Sequence, residues 1–174
     1  MSDELVVRHF DARGAEAQRD ELTGLYRRVW LAGWKDDDPF FSTERFADRL
    51  DSHLTRPGFA LVTARLDGHL IGYIYGFGRT AEDKFIICEL MVAADHRRQG
   101  IATRLHDEVL STRREQSAEL LVDKQNAPAQ SAYRRWGWRR TGDLQPFPDA
   151  PDYDVMGISL PIGTGRPWRP PRPL

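Results

Sequence analysis

The sequence predicts an α/β (α+β) fold, a mixed and mainly antiparallel central sheet flanked by helices. Three observations carry the prediction. The early apolar runs Phe59–Leu66 and Leu70–Phe77 are separated by Asp67-Gly68, a strong short-range hairpin signal. The later runs alternate with helical patterns, so strands and helices share one core. The chain has 174 residues and 40% hydrophobic content, which suits one ordinary domain able to bury its own core.

Each element follows from its pattern. Leu5–Phe10 reads as a first strand. From Ala15 to Trp34, Leu22, Leu25, Tyr26, Val29 and Trp30 recur at helical spacing and predict one long amphipathic helix. A loop holding Asp36, Asp37 and Asp38 follows, and Ser42 or Thr43 can cap a second helix that runs to about Leu54. After the hairpin, Phe85–Val92 is a fourth strand and Thr103–Leu110 a helix. Glu119–Asp123 is a short strand, Asn126 caps another helix, and Trp138–Thr141 and Tyr153–Leu160 are the last strands. Residues 1–162 form a single domain on this reading. Residues 163–174 are rich in Pro and Arg and are expected to be extended or disordered.

Two segments carry chemistry. The first is Arg97-Arg98-Gln99-Gly100-Ile101-Ala102-Thr103, set between a strand and a helix. In that setting the first helical N–H groups lack partners and the helix dipole favours an anion. Gly100 allows close backbone approach, small Ala102 keeps the next position open, and arginines add charge-assisted bonds. Alone, such a string is as well read as a surface loop before a helix; its place at a strand–helix junction favours phosphate binding.

The second segment is Asn126 to Tyr133 with the following Arg134-Arg135-Trp136-Gly137-Trp138. Pro128 falls in the first helical turn, where N–H groups are unpaired anyway, and Gly137 is placed to end the helix. Asn126 and Tyr133 are seven residues apart, so they share nearly one helix face. Tyr133 can equally be a residue packing its ring on the sheet.

Together these segments resemble the GNAT superfamily of acetyltransferases. Arg97, Gly100 and Ala102 fill its pyrophosphate pattern Gln/Arg-x-x-Gly-x-Gly/Ala. Asn126, Ala129, Tyr133 and Gly137 fit its later pattern, with Trp138 where Phe is usual. The likeness covers roughly residues 4–160 and is specific over 85–138. It implies that strands four and five splay apart after a bulge and that acetyl-CoA enters between them. It further implies that the backbone of Leu90, Met91 and Val92 pairs with the cofactor and that the segment from Arg98 to Thr103 meets the diphosphate. By the same resemblance, Asn126 touches the pantetheine arm or pyrophosphate and the Tyr133 phenol lies near the sulfur. Dimerisation is common in this superfamily; the sequence carries no interface signal of its own.

Composition sets limits. Lys+Arg 25 against Asp+Glu 26 gives a net charge of −1, which argues against nucleic acid or an anionic membrane as partner. The single cysteine, Cys88, rules out an internal disulfide and suits a reducing compartment. The polar, acidic start is unlike a signal peptide, and no apolar run approaches the roughly 20 residues of a membrane span. A cytoplasmic protein is expected. His9, His53, His69, His96 and His106 are scattered, without zinc spacing, so no metal is implied. Gly76-Phe77-Gly78 lacks the third glycine of a dinucleotide fingerprint, and Cys88 has no nearby His in sequence to activate it.

A primary amine with a pKa near 10.4 is only about 1 part in 2,500 neutral at pH 7, a barrier contribution of roughly 4.6 kcal/mol. An amine acyltransferase therefore needs a proton route, and the departing thiolate benefits from an acid. Tyr133 is the candidate acid. Glu89 is the first candidate base, although simple alternation places Ile87, Glu89 and Met91 on one face and Ile86, Cys88 and Leu90 on the other. If the acceptor lies on the Cys88 face, Glu89 is structural unless a bulge alters the parity. Asp36, Asp37 and Asp38 of the first helix–helix loop, and Glu82 or Asp83 before strand four, are the other candidate bases.

The triple-aspartate loop has an ordinary reading as solvated surface. Its sharper reading is attraction of a cationic acceptor, with Trp34, Phe40 and Phe41 as an aromatic wall. The favoured function is acetyl transfer from acetyl-CoA to a small amine. Protein N-terminal or lysine acetylation is the nearest rival. A non-catalytic acyl-CoA-binding module, docking through the Arg166–Pro173 segment, is the reading from another class.

Overall fold

The computed structural model describes residues 4–31 and 39–163. Its strands are β1 (Leu5–Phe10), β2 (Ala60–Leu66), β3 (His69–Arg79), β4 (Lys84–Val92), β5 (Ser117–Asp123), β6 (Arg139–Leu144) and β7 (Tyr153–Ser159). They form one sheet in the order β1-β2-β3-β4-β5-β7-β6. Only β4 and β5 run parallel; the other neighbours are antiparallel. The helices are α1 (Ala12–Glu16), α2 (Arg19–Leu31), α3 (Thr43–Leu54), α4 (Ile101–Ser111) and α5 (Ala127–Arg135).

The expected hairpin is present. Asp67 and Gly68 both have positive φ, 51° and 80°, as a two-residue turn between right-twisted strands requires. The single helix expected from Ala15 to Trp34 is instead two helices. Asp11 caps the first through Gly14 N at 2.9 Å, a turn at Ala17-Gln18 separates them, and α2 is described as far as Leu31. An apolar stripe reports a buried face and does not register a one-turn break in the backbone. Ser42 is the cap of α3, accepting from Arg45 N at 3.2 Å.

Two apolar layers flank the sheet. On one face α1, α2 and α3 bury Leu22, Leu25, Tyr26, Phe46 and Leu50 against Tyr73, Tyr75 and Met91. Tyr26 stacks on Phe46 at 4.0 Å, and the Tyr73 hydroxyl donates to Leu22 O at 3.1 Å, so polar tips are paired inside an apolar layer. On the other face α4 buries Ile101, Leu105 and Val109 against Ile74, Phe85, Ile87, Leu120 and Met156.

Two features of this frame shape the region near α4 and β5. β4 pairs with β5 only from Lys84 to Ile87, opposite Ser117 to Leu120; beyond that point the strands separate. At the same place β4 carries a bulge: Tyr75 faces Glu89 and Gly76 faces Ile87, leaving Cys88 as the extra residue. Gly76 is required there, because a Cβ would sit 2.1 Å from the Ile86 carbonyl oxygen.

A buried polar chain joins α4 to the strand after α5. The Trp138 indole N–H donates to His106 Nε2 at 2.9 Å, and His106 Nδ1 lies 2.8 Å from Asp107 Oδ1. Accepting at Nε2 fixes the imidazole as the neutral Nδ1–H form. Burial holds His106 below its ordinary value, against the opposing pull of Asp107. Such a group stabilises the fold fully above about pH 6.5 and loses that contribution as pH falls. Trp138→Phe is expected to lower unfolding free energy by about 1–3 kcal/mol, since a buried acceptor loses its donor. Denaturant melts at pH 7.5 and 5 check this; a change under about 0.5 kcal/mol would show the bond contributes little.

Candidate active site

Separation of β4 from β5 opens a cleft of about 1090 Å³. Its floor is the β4 segment Glu89 to Val92. One wall is the loop and first turn of α4, with Arg97, Arg98, Gly100, Ile101, Ala102 and Thr103. The other is α5, with Asn126, Ala129, Ala132 and Tyr133, and Val29 and Trp30 of α2 close one end. Of the residues singled out in the sequence, Gln99 does not line the cleft. Trp34, Asp36, Asp37 and Asp38 lie outside the described residues, as does the tail from residue 164. Glu82 sits at the far end of β4 from Glu89, paired with Lys84 at 3.4 Å and Arg79 at 3.5 Å.

The α4 wall is built to meet an anion. Arg98 and Gly100 both take the left-handed conformation, φ 62° and 79°, a curl that turns successive N–H groups to one side. Helix α4 then starts with no side-chain cap, whereas α1, α3 and α5 are capped by Asp11, Ser42 and Asn126. A Cβ on Gly100 would meet no protein atom within 4 Å, so space is kept open over the uncapped turn. The fit to a diphosphate is chemical and local: unpaired N–H groups, positive charge and room.

The α5 wall presents polar groups at fixed heights. Asn126 Oδ1 accepts from Ala129 N at 3.2 Å, which leaves its amide NH2 as the free donor. Tyr133 holds its ring edge-on to Trp136 and Trp138, at 5.6 and 5.8 Å between centroids. Burial, reinforced by the Glu89 charge, pushes its phenol well above the ordinary value, so it stays protonated.

Glu89 occupies the bulge. Because Cys88 is the extra residue, alternation breaks: Phe85 and Ile87 join the α4 layer, but so do Leu90 and Val92, while Cys88 and Met91 face α2 and α3. The expected grouping of Ile87, Glu89 and Met91 is therefore wrong, and Cys88 and Glu89 lie on the same side. Glu89 is half-buried and makes no hydrogen bond among the described residues. Desolvation raises it to about 7, with Arg49 pulling the other way. Burial pushes the Cys88 thiol far above the usual thiol range, which disfavours its thiolate.

Val29, Trp30, His96, Arg135 and Trp136 line the cleft and were not singled out as site residues. Trp136 shares the α5 stripe of Ala129, Ala132 and Tyr133, a signal legible as an apolar face but not as a cleft wall. Val29 and Trp30 are near the end of the α2 stripe, partly buried against the core layer while also lining the cleft.

The model of the acetyltransferase (GNAT) family matches residues 19–138. The chain belongs to that family. Among solved structures it is similar to a ribosomal-protein alanine N-acetyltransferase from Escherichia coli, with TM-score 0.68 and 14% identity over 95% of this chain and 100% of that one. The PaiA N-acetyltransferase of Thermoplasma acidophilum, solved with coenzyme A, has TM-score 0.65 and 15% identity over 90% and 99% of the two chains. An aminoglycoside 6′-acetyltransferase has TM-score 0.65 and 21% identity over 88% and 96%. At such identities the likeness is one of fold. No curated protein matches the chain in sequence. Among the described residues no helix is long and apolar enough to cross a membrane.

Proposed function

We propose that the chain is an acetyl-CoA-dependent N-acetyltransferase acting on the primary amine of a small cationic metabolite or antibiotic. The observation that carries this reading is the cleft itself. An uncapped, arginine-flanked helix start lies at one side and a lone desolvated carboxylate beside a protonated phenol at the other. Arg97, Arg98 and the N–H groups from Arg98 to Thr103 would hold the diphosphate. The Leu90–Val92 edge released from β5 would pair with pantetheine amides, and the Asn126 NH2 would donate to that arm.

The bound thioester supplies an activated acetyl group. Glu89, held near pH 7, takes the proton that the amine must lose, directly or through one water, as the C–N bond forms. The C–S bond breaks, and Tyr133 donates to the leaving sulfur, so the products are an amide and a free thiol. Trp30 and Phe41, stacked at 4.9 Å, offer an aromatic surface beside the acceptor end, and Asp36, Asp37 and Asp38 would add negative charge if they approach it. We place the enzyme in the cytoplasm, without metal, nucleic acid or membrane as partner, and with a homodimer as the form to look for.

Thiol release from acetyl-CoA across polyamines, aminoglycosides, amino acids and peptides tests the reading. Turnover on a small cation is expected. Turnover on peptides alone would replace the acceptor class with protein N-termini or lysines. Silence with tight acetyl-CoA binding would leave a non-catalytic acyl-CoA module.

A further inference from the structure

The two walls of the cleft are tied together behind it. His106 lies on α4, within two turns of the helix start that flanks the cleft. Its Nε2 accepts the Trp138 indole N–H at 2.9 Å, and its ring packs at 4.5 Å on that of Trp136. Both tryptophans hold Tyr133, whose ring stands edge-on to each. The Tyr133 carbonyl also accepts the backbone N–H of Trp136 at 3.1 Å and of Trp138 at 3.0 Å. Tyr133 and Trp136 line the cleft, whereas His106 and Trp138 are 1% and 2% exposed and lie behind them.

The Tyr133 phenol makes no hydrogen bond among the described residues, so packing sets its direction. Apolar packing fixes how far apart rings stand but has little directionality; a hydrogen bond also fixes an angle. The Trp138 bond is buried, where losing one partner strands the other. A Phe at 138 would fill much the same space with no polar atom to satisfy. What the indole N–H adds is orientation, because it pins the ring behind Tyr133 to α4. Asp107 completes the device. Its carboxylate lies 2.8 Å from His106 Nδ1 and accepts that ring N–H, which leaves Nε2 as the acceptor.

We infer that His106 is a positioning residue for the chemical step: through Trp138 and Trp136 it fixes the Tyr133 ring relative to the start of α4. This rests on the reading of Tyr133 as the group that donates to the leaving sulfur. Such a donor must meet the sulfur at hydrogen-bond distance and angle in the transition state, so a tilt too small to unfold anything lowers the rate.

A double-mutant cycle decides it. Trp138→Phe removes the donor and His106→Leu the acceptor, so each breaks the brace from one side. Turnover is followed as thiol release from acetyl-CoA with the best amine of the polyamine and aminoglycoside panel. Each variant is expected to lower kcat by about 5- to 10-fold, with KM for acetyl-CoA changed by less than about twofold. In a Tyr133→Phe background neither should lower kcat further, because no donor is left to misplace. Equal fractional losses in both backgrounds, or kcat unchanged with Tyr133 intact, would overturn the inference and leave the acetyltransferase reading standing. Tyr133→Phe with unchanged kcat on its own, or no turnover on any amine, would instead remove the reading beneath it.

Discussion

Glu89→Gln is expected to lower kcat at pH 7 by about 10²- to 10⁴-fold, the usual worth of a positioned proton acceptor, while making the protein more stable at pH 8. The two effects have one cause. Folding moves this carboxyl from about 4.5 up to about 7 by desolvation, so the folded state binds the proton more strongly. A raised acid favours the fold at low pH and loses that advantage as pH rises through its folded value. Above pH 7 the charged carboxylate is held in a poor solvent, at a cost of up to about 3 kcal/mol. Gln keeps the shape without the charge. The variant should therefore melt higher than wild type at pH 8 and converge with it near pH 4. In wild type, kcat/KM should rise with pH through about 7, and the variant should lose that limb. A structural Glu89 predicts a different pair of results: turnover and stability would fall together, and the pH profile would keep its shape.

Tyr133→Phe should reduce kcat by about 10²-fold, with coenzyme A affinity changed by less than about twofold. The phenol makes no hydrogen bond among the described residues, while the ring packs on Trp136 and Trp138. Phe retains all of that packing, so the substitution removes one O–H and little else. In a desolvated setting that O–H is a stronger partner for a developing thiolate than it would be in water. Pre-steady-state measurement of thiol release would separate the chemical step from product release. Unchanged kcat would reduce Tyr133 to a packing residue, the reading that its helical spacing alone allows.

Much of this arrangement was legible in the residues. Asp67-Gly68, Ser42, Asn126 and Gly137 each occupy the turn or cap that their chemistry suits, because caps and tight turns are local and need no knowledge of the rest of the chain. The walls of the cleft were legible where a local device carries the function, as at Gly100 and the start of α4. Glu89 was harder. Its direction depends on one extra residue in β4; the family resemblance implies a bulge where strands four and five part, but nothing in Ile87-Cys88-Glu89-Leu90 itself marks its position, which is set with β3, where Gly76 lets the Ile86 carbonyl come close. Val29, Trp30 and Arg135 were missed for a related reason. Whether an apolar stripe or a terminal arginine faces a core, solvent or a cavity is decided by elements far away in sequence.

The bulge also changes what a mutation at Cys88 can mean. With Cys88 deleted, Glu89 would follow Ile87 in plain alternation, and every later side chain would keep the face it has now. Only the bend would go, at the point where β4 leaves β5. Loss of residue 88 is therefore expected to disturb the cleft more than its replacement by Ser or Ala, which keeps the extra residue. A shortened strand would keep its hydrophobic pattern and lose only the bend beside the point where β4 leaves β5.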